Sequence, residues 1–560
     1  KRKGFKLRYI IQFVPSYDSK LSDILIDILK KPRKIRGAKG SFLSETEFLS
    51  MHSFDPEKYD ELETYSIKEP YSYAKILLDR TSYDNVYWVI EPTLSESAKN
   101  FLEIMRNSLG QVMSLTDESM NPREREEYIK EGIDTFTETR NFWIDSVTRK
   151  KVEYYLIRDF LGYSIIDPLM KDKNIEDISC DGIDIPIYIY HRKYENMKTN
   201  LKFSNSDSLN SFIVYLGQKG RKQVSVSDPI LDASTPEGNR INATFSDEVT
   251  AKGGTFTIRL FRETPFTPTD LVISRTASAE LVAYMWLLVE FGQNMMILGG
   301  TGAGKTSTLN AMTLFIPPTS KIVSIEDTRE INLPHMNWIP STTRSGVGEK
   351  GFGTGKAAGE IDMFDLVRAA LRQRPNYIIV GEVRGREAYN LFQAMATGHI
   401  TYATMHADSV RSMISRLENQ PINIPRIMMT SLNNVSVQMQ VRVRNQVVRR
   451  IKEVVEIVGY DPDTNELTLN NIFNWNVKND KIEFTGHSYL FEKIMDLKNM
   501  DQEAMDEEFK RRIDVIRYLS GNRINDYLTI WQYITNYYRD PTPLIEHIRG
   551  EMQGREELYE

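Results

Sequence analysis

A single cysteine, Cys180, stands in 560 residues, so no disulfide can form within the chain and a reducing compartment is its natural setting. Its neighbours Ser179 and Asp181 supply neither a metal partner nor a base, which leaves it a small core or loop residue. Long apolar runs are missing too. Leu281 to Leu298 comes nearest to the roughly 18 residues that a membrane span needs, and Glu290, Gln293 and Asn294 interrupt it. The basic start, Lys1 to Phe5, is followed by no clean signal-peptide core, although the first residue is not Met and a trimmed leader stays open. Membrane contact is therefore expected to be peripheral or through a partner. A strong charge imbalance is absent as well. The formal net charge is −6, which argues against a protein whose main task is coating nucleic acid but leaves room for a local basic channel.

What is present is ordinary globular composition, 41% hydrophobic and 26% charged, which excludes wholesale disorder. The length predicts three or four structural units. Residues 1–122 form an N-terminal accessory region with little readable pattern, and the basic cluster Lys30 to Lys34 reads as a solvated loop. From Arg123 to about Leu161 apolar residues recur at three- and four-residue spacing, which predicts helix. Short alternating segments follow, including Ile185 to Tyr190 and Thr255 to Phe261, so residues 123–262 read as a small α+β domain with leading helices. Pro265 and Pro268 break both periodicities and mark residues 263–270 as a stiff linker. In residues 271–489 short apolar runs alternate with helix-like stretches, the pattern of a mostly parallel sheet covered by helices on both faces. Residues 490–560 read as a helical C-terminal extension. Phe509, Ile513, Ile516 and Leu519 share one helix face there, and Gly521 suits the helix end.

The segment Gly299-Gly300-Thr301-Gly302-Ala303-Gly304-Lys305-Thr306 matches G-x-x-x-x-G-K-[ST] in full. Glycines let backbone N–H groups turn inward around phosphates, because no Cβ blocks the approach. The following helix aims its positive end at the same anions. An apolar strand, Met295 to Leu298, precedes the loop and a helix former run from Ser307 follows it, so the context agrees with the motif. The reading gives Lys305 the β- and γ-phosphates and Thr306 a Mg²⁺ ion. A second glycine pattern, Gly346 to Gly351, matches the dinucleotide fingerprint G-x-G-x-x-G, but no strand leads into it, and it reads as a loop.

A phosphate-loop enzyme also needs acids near the metal and the attacking water. Two acidic segments follow predicted sheet strands: Glu326-Asp327-Thr328-Arg329-Glu330, and Glu382 after Tyr377 to Gly381. Both can face one crevice at the carboxyl ends of the strands. His399 and His406 flank the strand Ile400 to Met405, and without a third ligand nearby they do not make a zinc site. Arg368, Arg372, Arg374, Arg384 and Arg386 are dense here, and spacing alone selects none of them.

Taken in order, Gly299 to Thr306, Ser324 to Glu330, Ile378 to Arg384 and Ala396 to Asp408 resemble the Walker A, aspartate, Walker B and histidine boxes of the type II/IV secretion ATPase superfamily. The details look most like the archaeal branch, which drives archaella and type IV pilus-like filaments. Asn174 to Gly182, Gly238 to Ala243 and Thr255 to Arg259 are similar to that branch's N-terminal domain. The resemblance covers roughly residues 125 to 460. It implies an α/β fold with a RecA-like P-loop ATPase domain behind a smaller α+β domain, and ATP and Mg²⁺ as cofactors. It implies that Gly300, Thr301, Gly302, Ala303, Gly304, Lys305, Thr306 and Ser307 bind the nucleotide, that Thr306 and Glu382 hold Mg²⁺, partly through water, and that Glu330 polarises the attacking water. It further implies that His399 and His406 sense the nucleotide, and that Arg240 and Arg259 approach it when the domains close. The family works as a homohexamer on the cytoplasmic side of the cell membrane, against a polytopic membrane platform protein. Two rival readings use the same loop: a RecA-like nucleic-acid translocase, which would show DNA-stimulated turnover, and a nucleotide-gated regulatory protein, which would have lost the water-activating acid.

Overall fold

The computed structural model describes residues 54–113, 121–139, 143–261, 264–344, 359–444 and 446–559. Two compact units divide the chain, Lys1–Phe261 and Arg262–Glu560.

Among the described residues the first unit has nine strands: β1 (Tyr59–Lys68), β2 (Ser72–Asp79), β3 (Asn85–Ile90), β4 (Ile175–Cys180), β5 (Pro186–His191), β6 (Glu195–Lys202), β7 (Ile230–Ser234), β8 (Arg240–Thr244) and β9 (Thr255–Arg259). Their spatial order is β1-β2-β3-β6-β5-β4-β9-β8-β7. Every junction is antiparallel except β3 against β6. Alternation sets the faces. Ile241 and Ala243 on β8, and Phe256 and Ile258 on β9, point into the core, and the residues between them point out. The helix Ser206–Lys219 covers the inner face with Leu209, Phe212, Ile213 and Leu216.

The patternless residues 54–90 thus extend the same sheet as the α+β segment. A buried polar cluster ties them in. The Tyr65 and Tyr87 hydroxyls each donate to Asp172 Oδ2 at 2.6 Å, and the Tyr65 oxygen lies 3.2 Å from His191 Nε2. Buried polar groups that are partnered in this way fix one arrangement of the elements that carry them. The helical run predicted from Arg123 is two helices, Pro122–Thr139 and Ser146–Phe160. Asp145 starts the second by accepting from the N–H groups of Val147 and Thr148. Cys180 is buried on β4 in the core of this unit, and burial pushes its thiol up to about 11, the setting of a packing residue. The Lys30 to Lys34 cluster lies outside the described residues.

The described residues of the second unit carry another nine strands: β10 (Met295–Gly299), β11 (Ile322–Glu326), β12 (Trp338–Thr342), β13 (Tyr377–Val383), β14 (Ile400–Met405), β15 (Asn434–Val443), β16 (Gln446–Asp461), β17 (Glu466–Asn476) and β18 (Lys481–Phe484). Their order is β12-β11-β13-β14-β10-β15-β16-β17-β18. The first six run parallel and the last three return antiparallel. Every residue of β10 and β11 is buried, as expected of strands covered on both faces. One face packs on the helices Ala279–Glu290 and Lys305–Thr313. The other packs on Met363–Arg372, Glu387–Ala396 and Val410–Glu418.

The last helices, Tyr489–Lys498, Gln502–Gly521, Tyr527–Arg539 and Pro541–Tyr559, are not a separate body. They share a core with the first face, where Trp286 stacks on Phe315 at 4.9 Å and meets Tyr537. Arg512, 2% exposed, reaches from them to Glu290 as well as to Glu508 and Tyr537. Pro268, read as linker, opens the helix Pro268–Ile273. Its missing N–H costs nothing in the first turn, and Thr267 and Asp270 close a capping box around it.

Candidate active site

The glycine-rich loop leaves β10 in the middle of the parallel sheet, between β14 and β15. Gly299 has no room for a side chain, since a Cβ there would stand 2.4 Å from the Gln438 carbonyl oxygen on β15. Gly302 and Gly304 take φ of +71° and +90°, the left-handed region that favours glycine. Gly304 is the N-cap of the helix Lys305–Thr313. A Cβ on Gly300 would meet nothing within 4 Å, and Thr301 is exposed, so this turn of the loop faces open space. Ala303 is buried, and Thr306 and Ser307 sit half-buried in the first helical turn. A glycine loop running into a helix N-terminus is the arrangement that holds a polyphosphate.

Lys305 lies across this cradle. Its Nζ donates to the carbonyl oxygens of Gly299 at 2.9 Å and Gly300 at 3.0 Å. Burial lowers its pKa, the Glu382 and Glu330 carboxylates oppose that shift, and Arg384 adds to it. One ammonium therefore feels both predicted acids.

The sheet topology explains the convergence. Parallel strands end at one edge, so Gly299, Glu326, Val383 and Met405 share it. Glu382, half-buried on β13, accepts from Arg384 at 2.7 Å. Burial pushes its carboxyl up, but the Arg384 hydrogen bond and charge, with Lys305 and His406 assisting, hold it below the ordinary carboxylate value. Arg384 also lies 3.7 Å from Asp327. Buried Glu387 accepts from the N–H groups of Arg384 (2.6 Å) and Gly385 (2.7 Å), which fixes the turn after Glu382. Glu330 is exposed at the end of a short turn after β11. Its N–H donates to Glu326 Oε1 at 2.8 Å.

The structure places Glu330 and Glu382 within electrostatic reach of Lys305 in the loop Gly300 to Ser307, and His406 within reach of Glu382. It does not bring His399 with them. His399 precedes β14, with its ring 3.3 Å from the Thr397 hydroxyl, whereas His406 follows the strand. Seven steps at about 3.3 Å each put roughly 23 Å between their Cα atoms. Arg240 and Arg259 lie in the first unit as cross-strand partners on β8 and β9. Arg240 is 3.5 Å from Asp232, and Arg259 donates to Asp177 at 3.0 Å. The Gly346 to Gly351 pattern lies outside the described residues.

Several groups at the loop carry no motif. The side-chain tips of Gln438 and Gln440 on β15 come within 3.1 Å of where a Cβ on Gly304 and on Gly302 would stand. Arg449 on β16 donates to the Gly302 carbonyl at 3.3 Å. Their only signal in the sequence is the alternation of a strand whose sheet neighbour is β10, more than a hundred residues earlier. Arg384 was visible but indistinguishable from the arginines around it.

Residues 164–514 match the family model described as type II/IV secretion system protein. The uncharacterized protein MJ0900 of Methanocaldococcus jannaschii is 35% identical over 478 residues, 81% of this chain and 85% of its own. The conjugal transfer protein TrbB of Rhizobium radiobacter is 30% identical over 238 residues, 41% of this chain and 69% of its own. Among solved structures, the ATPase DotB of Legionella pneumophila is similar at 18% identity, over 68% of this chain and 92% of that one, with a TM-score of 0.38.

Proposed function

The chain belongs to the type II/IV secretion system protein family, and from that premise we propose that it is a Mg²⁺-dependent ATPase motor. It works as a homohexamer at the inner face of the cell membrane. There it powers assembly or movement of an archaeal type IV pilus-like filament, or secretion of its subunits, through a membrane platform protein. Membership supports the coarser statement, an ATPase of secretion or pilus machinery. The observation that carries the reading is the parallel sheet edge at which the glycine loop ends β10 and Glu382 and Glu330 both act on the Lys305 charge.

In this reading the second unit is the RecA-like ATPase domain. ATP is the substrate. Lys305 exchanges the carbonyls of Gly299 and Gly300 for β- and γ-phosphate oxygens. The residues present fit a metal: Mg²⁺ in nucleotide sites takes one or two protein groups beside the phosphates, and Thr306 with Glu382 are such a pair. When bound, Mg²⁺ would offset the charge that develops on the transferring phosphoryl group. Glu330 orients the attacking water and accepts its proton. Arg384 keeps Glu382 ionised and aimed. His406 senses the state of Glu382 from the end of β14. We also assign Arg240 and Arg259 phosphate contacts in the nucleotide-bound state, and His399 a part in relaying the response along β14.

The test is phosphate release by the purified chain with Mg²⁺ and ATP, with particle mass recorded with and without a non-hydrolysable analogue. Turnover with a species of six subunits supports the motor. ATP binding without turnover at any concentration of protein contradicts it, and turnover that rises on adding DNA points to a translocase.

A further inference from the structure

Glu326 is the most deeply buried acid at the site edge, and the chemistry above does not use it. It ends β11, is 2% exposed, and burial pushes its carboxyl up to about 8. Oε1 accepts two backbone hydrogen bonds, from Glu330 N–H at 2.8 Å and Ile331 N–H at 2.9 Å. Its stem packs on Gly381, the residue before Glu382: a Cβ there would come within 3.0 Å of Glu326 Cγ. One side chain therefore touches the segments that carry both acids.

The backbone at Glu330 is held from its other side as well. Buried Asn310, on the helix after the glycine loop, donates to the Glu330 carbonyl at 3.5 Å and accepts from Asn332 N–H at 3.2 Å. Ile331 is fully buried, so its side chain anchors the next residue. The exposed Glu330 side chain thus stands on a backbone pinned by Glu326, Asn310 and the Ile331 core contact. Without the Glu326 acceptor, the N–H of Ile331 would lose its partner inside the protein, and the turn would rearrange to satisfy it.

We propose that Glu326 is a positioning residue: its Oε1 clamps the turn Asp327–Ile331 so that the Glu330 carboxylate is held where the attacking water is activated. The proposal rests on the reading of Glu330 given above. What the clamp requires is an acceptor of this length, not a charge. Glu326→Gln keeps the acceptor, and Glu326→Met keeps the bulk and removes it.

The experiment compares these variants with wild type and Glu330→Gln. It measures kcat and KM for ATP, affinity for a fluorescent ADP analogue, thermal melting, and amide exchange in the peptide 327–332. The expected result is a kcat about 100-fold lower for Glu326→Met, with ADP affinity within about threefold of wild type, and a kcat within about fivefold for Glu326→Gln. Exchange in 327–332 should be faster in Glu326→Met only. Wild-type kcat in a folded Glu326→Met overturns the clamp, and so does a 100-fold loss in Glu326→Gln. If Glu326→Met unfolds, the Gln variant alone decides by the same threshold. Full turnover in Glu330→Gln would sink the reading of Glu330 itself, and unchanged exchange at 327–332 would then sink the clamp separately.

Discussion

Among the described residues two sheets of nine strands stand in one chain, and one of them carries the glycine loop with Glu330 and Glu382 at its edge. In the first unit all junctions but one are antiparallel, so strand ends alternate between two edges. Polar groups meet there as cross-strand neighbours, as Asp177 meets Arg259, or in the buried cluster around Asp172, away from any common edge of strand ends. In the second unit six strands run parallel and all their carboxyl ends share an edge. Loops that are distant in sequence are delivered together, and Lys305 comes under the influence of Glu330 and Glu382. The direction of the strands, more than their number, decides where a site can form.

Variants can break this contrast in graded ways. The largest effect is expected at the parallel edge. Lys305→Ala should lower phosphate release by about 10³-fold or more while the melting temperature stays near wild type. A variant within tenfold of wild type would remove the loop from the mechanism.

Next comes the seam that fastens the C-terminal helices to the parallel sheet. Arg512→Ala leaves Glu290 and Glu508 facing a buried gap, so urea unfolding should show a loss of about 3 kcal/mol. A loss under about 0.5 kcal/mol would mean that the network is better solvated than its burial indicates.

The antiparallel unit should respond more mildly. Arg240→Ala with Arg259→Ala should slow turnover about tenfold and raise KM for ATP, if the first unit contributes charge to the nucleotide. Unchanged kinetics would confine the whole site to the second unit.

The smallest effect concerns acid stability in the antiparallel tail of the second sheet. The Arg450 guanidinium holds Asp480 down to about 2, with the Trp475 N–H helping. A depressed pKa contributes stability above the unfolded value near 4, and that contribution fades as pH falls toward 2. Asp480→Asn should therefore melt a few degrees below wild type at pH 6, and the gap should narrow between pH 4 and pH 2. A gap that does not change with pH would assign the effect to packing.

The glycine loop was legible because its chemistry is local: eight consecutive residues carry both the turn and the ligands. Continuous apolar runs likewise announced the buried strands β10, β11 and β13. Other features needed contacts across the chain. Nothing in Glu326-Asp327-Thr328-Arg329-Glu330 says that the first acid is buried and clamps the last, since burial of Glu326 comes from β13 beside β11. The spacing of His399 and His406 showed a strand between them. That same strand is what holds them at opposite edges of the sheet. Residues 59–90 form three neighbouring antiparallel strands, and their place in the first sheet depends on β6, about a hundred residues further on.

The central claim is that this edge hydrolyses ATP with Glu330 activating the water. It is tested most directly by single-turnover hydrolysis of radiolabelled ATP in wild type and Glu330→Gln, each saturated with Mg²⁺ and nucleotide. The account predicts that both bind ATP alike and that the variant cleaves it at least about 100-fold more slowly. Equal cleavage rates at equal occupancy would contradict it.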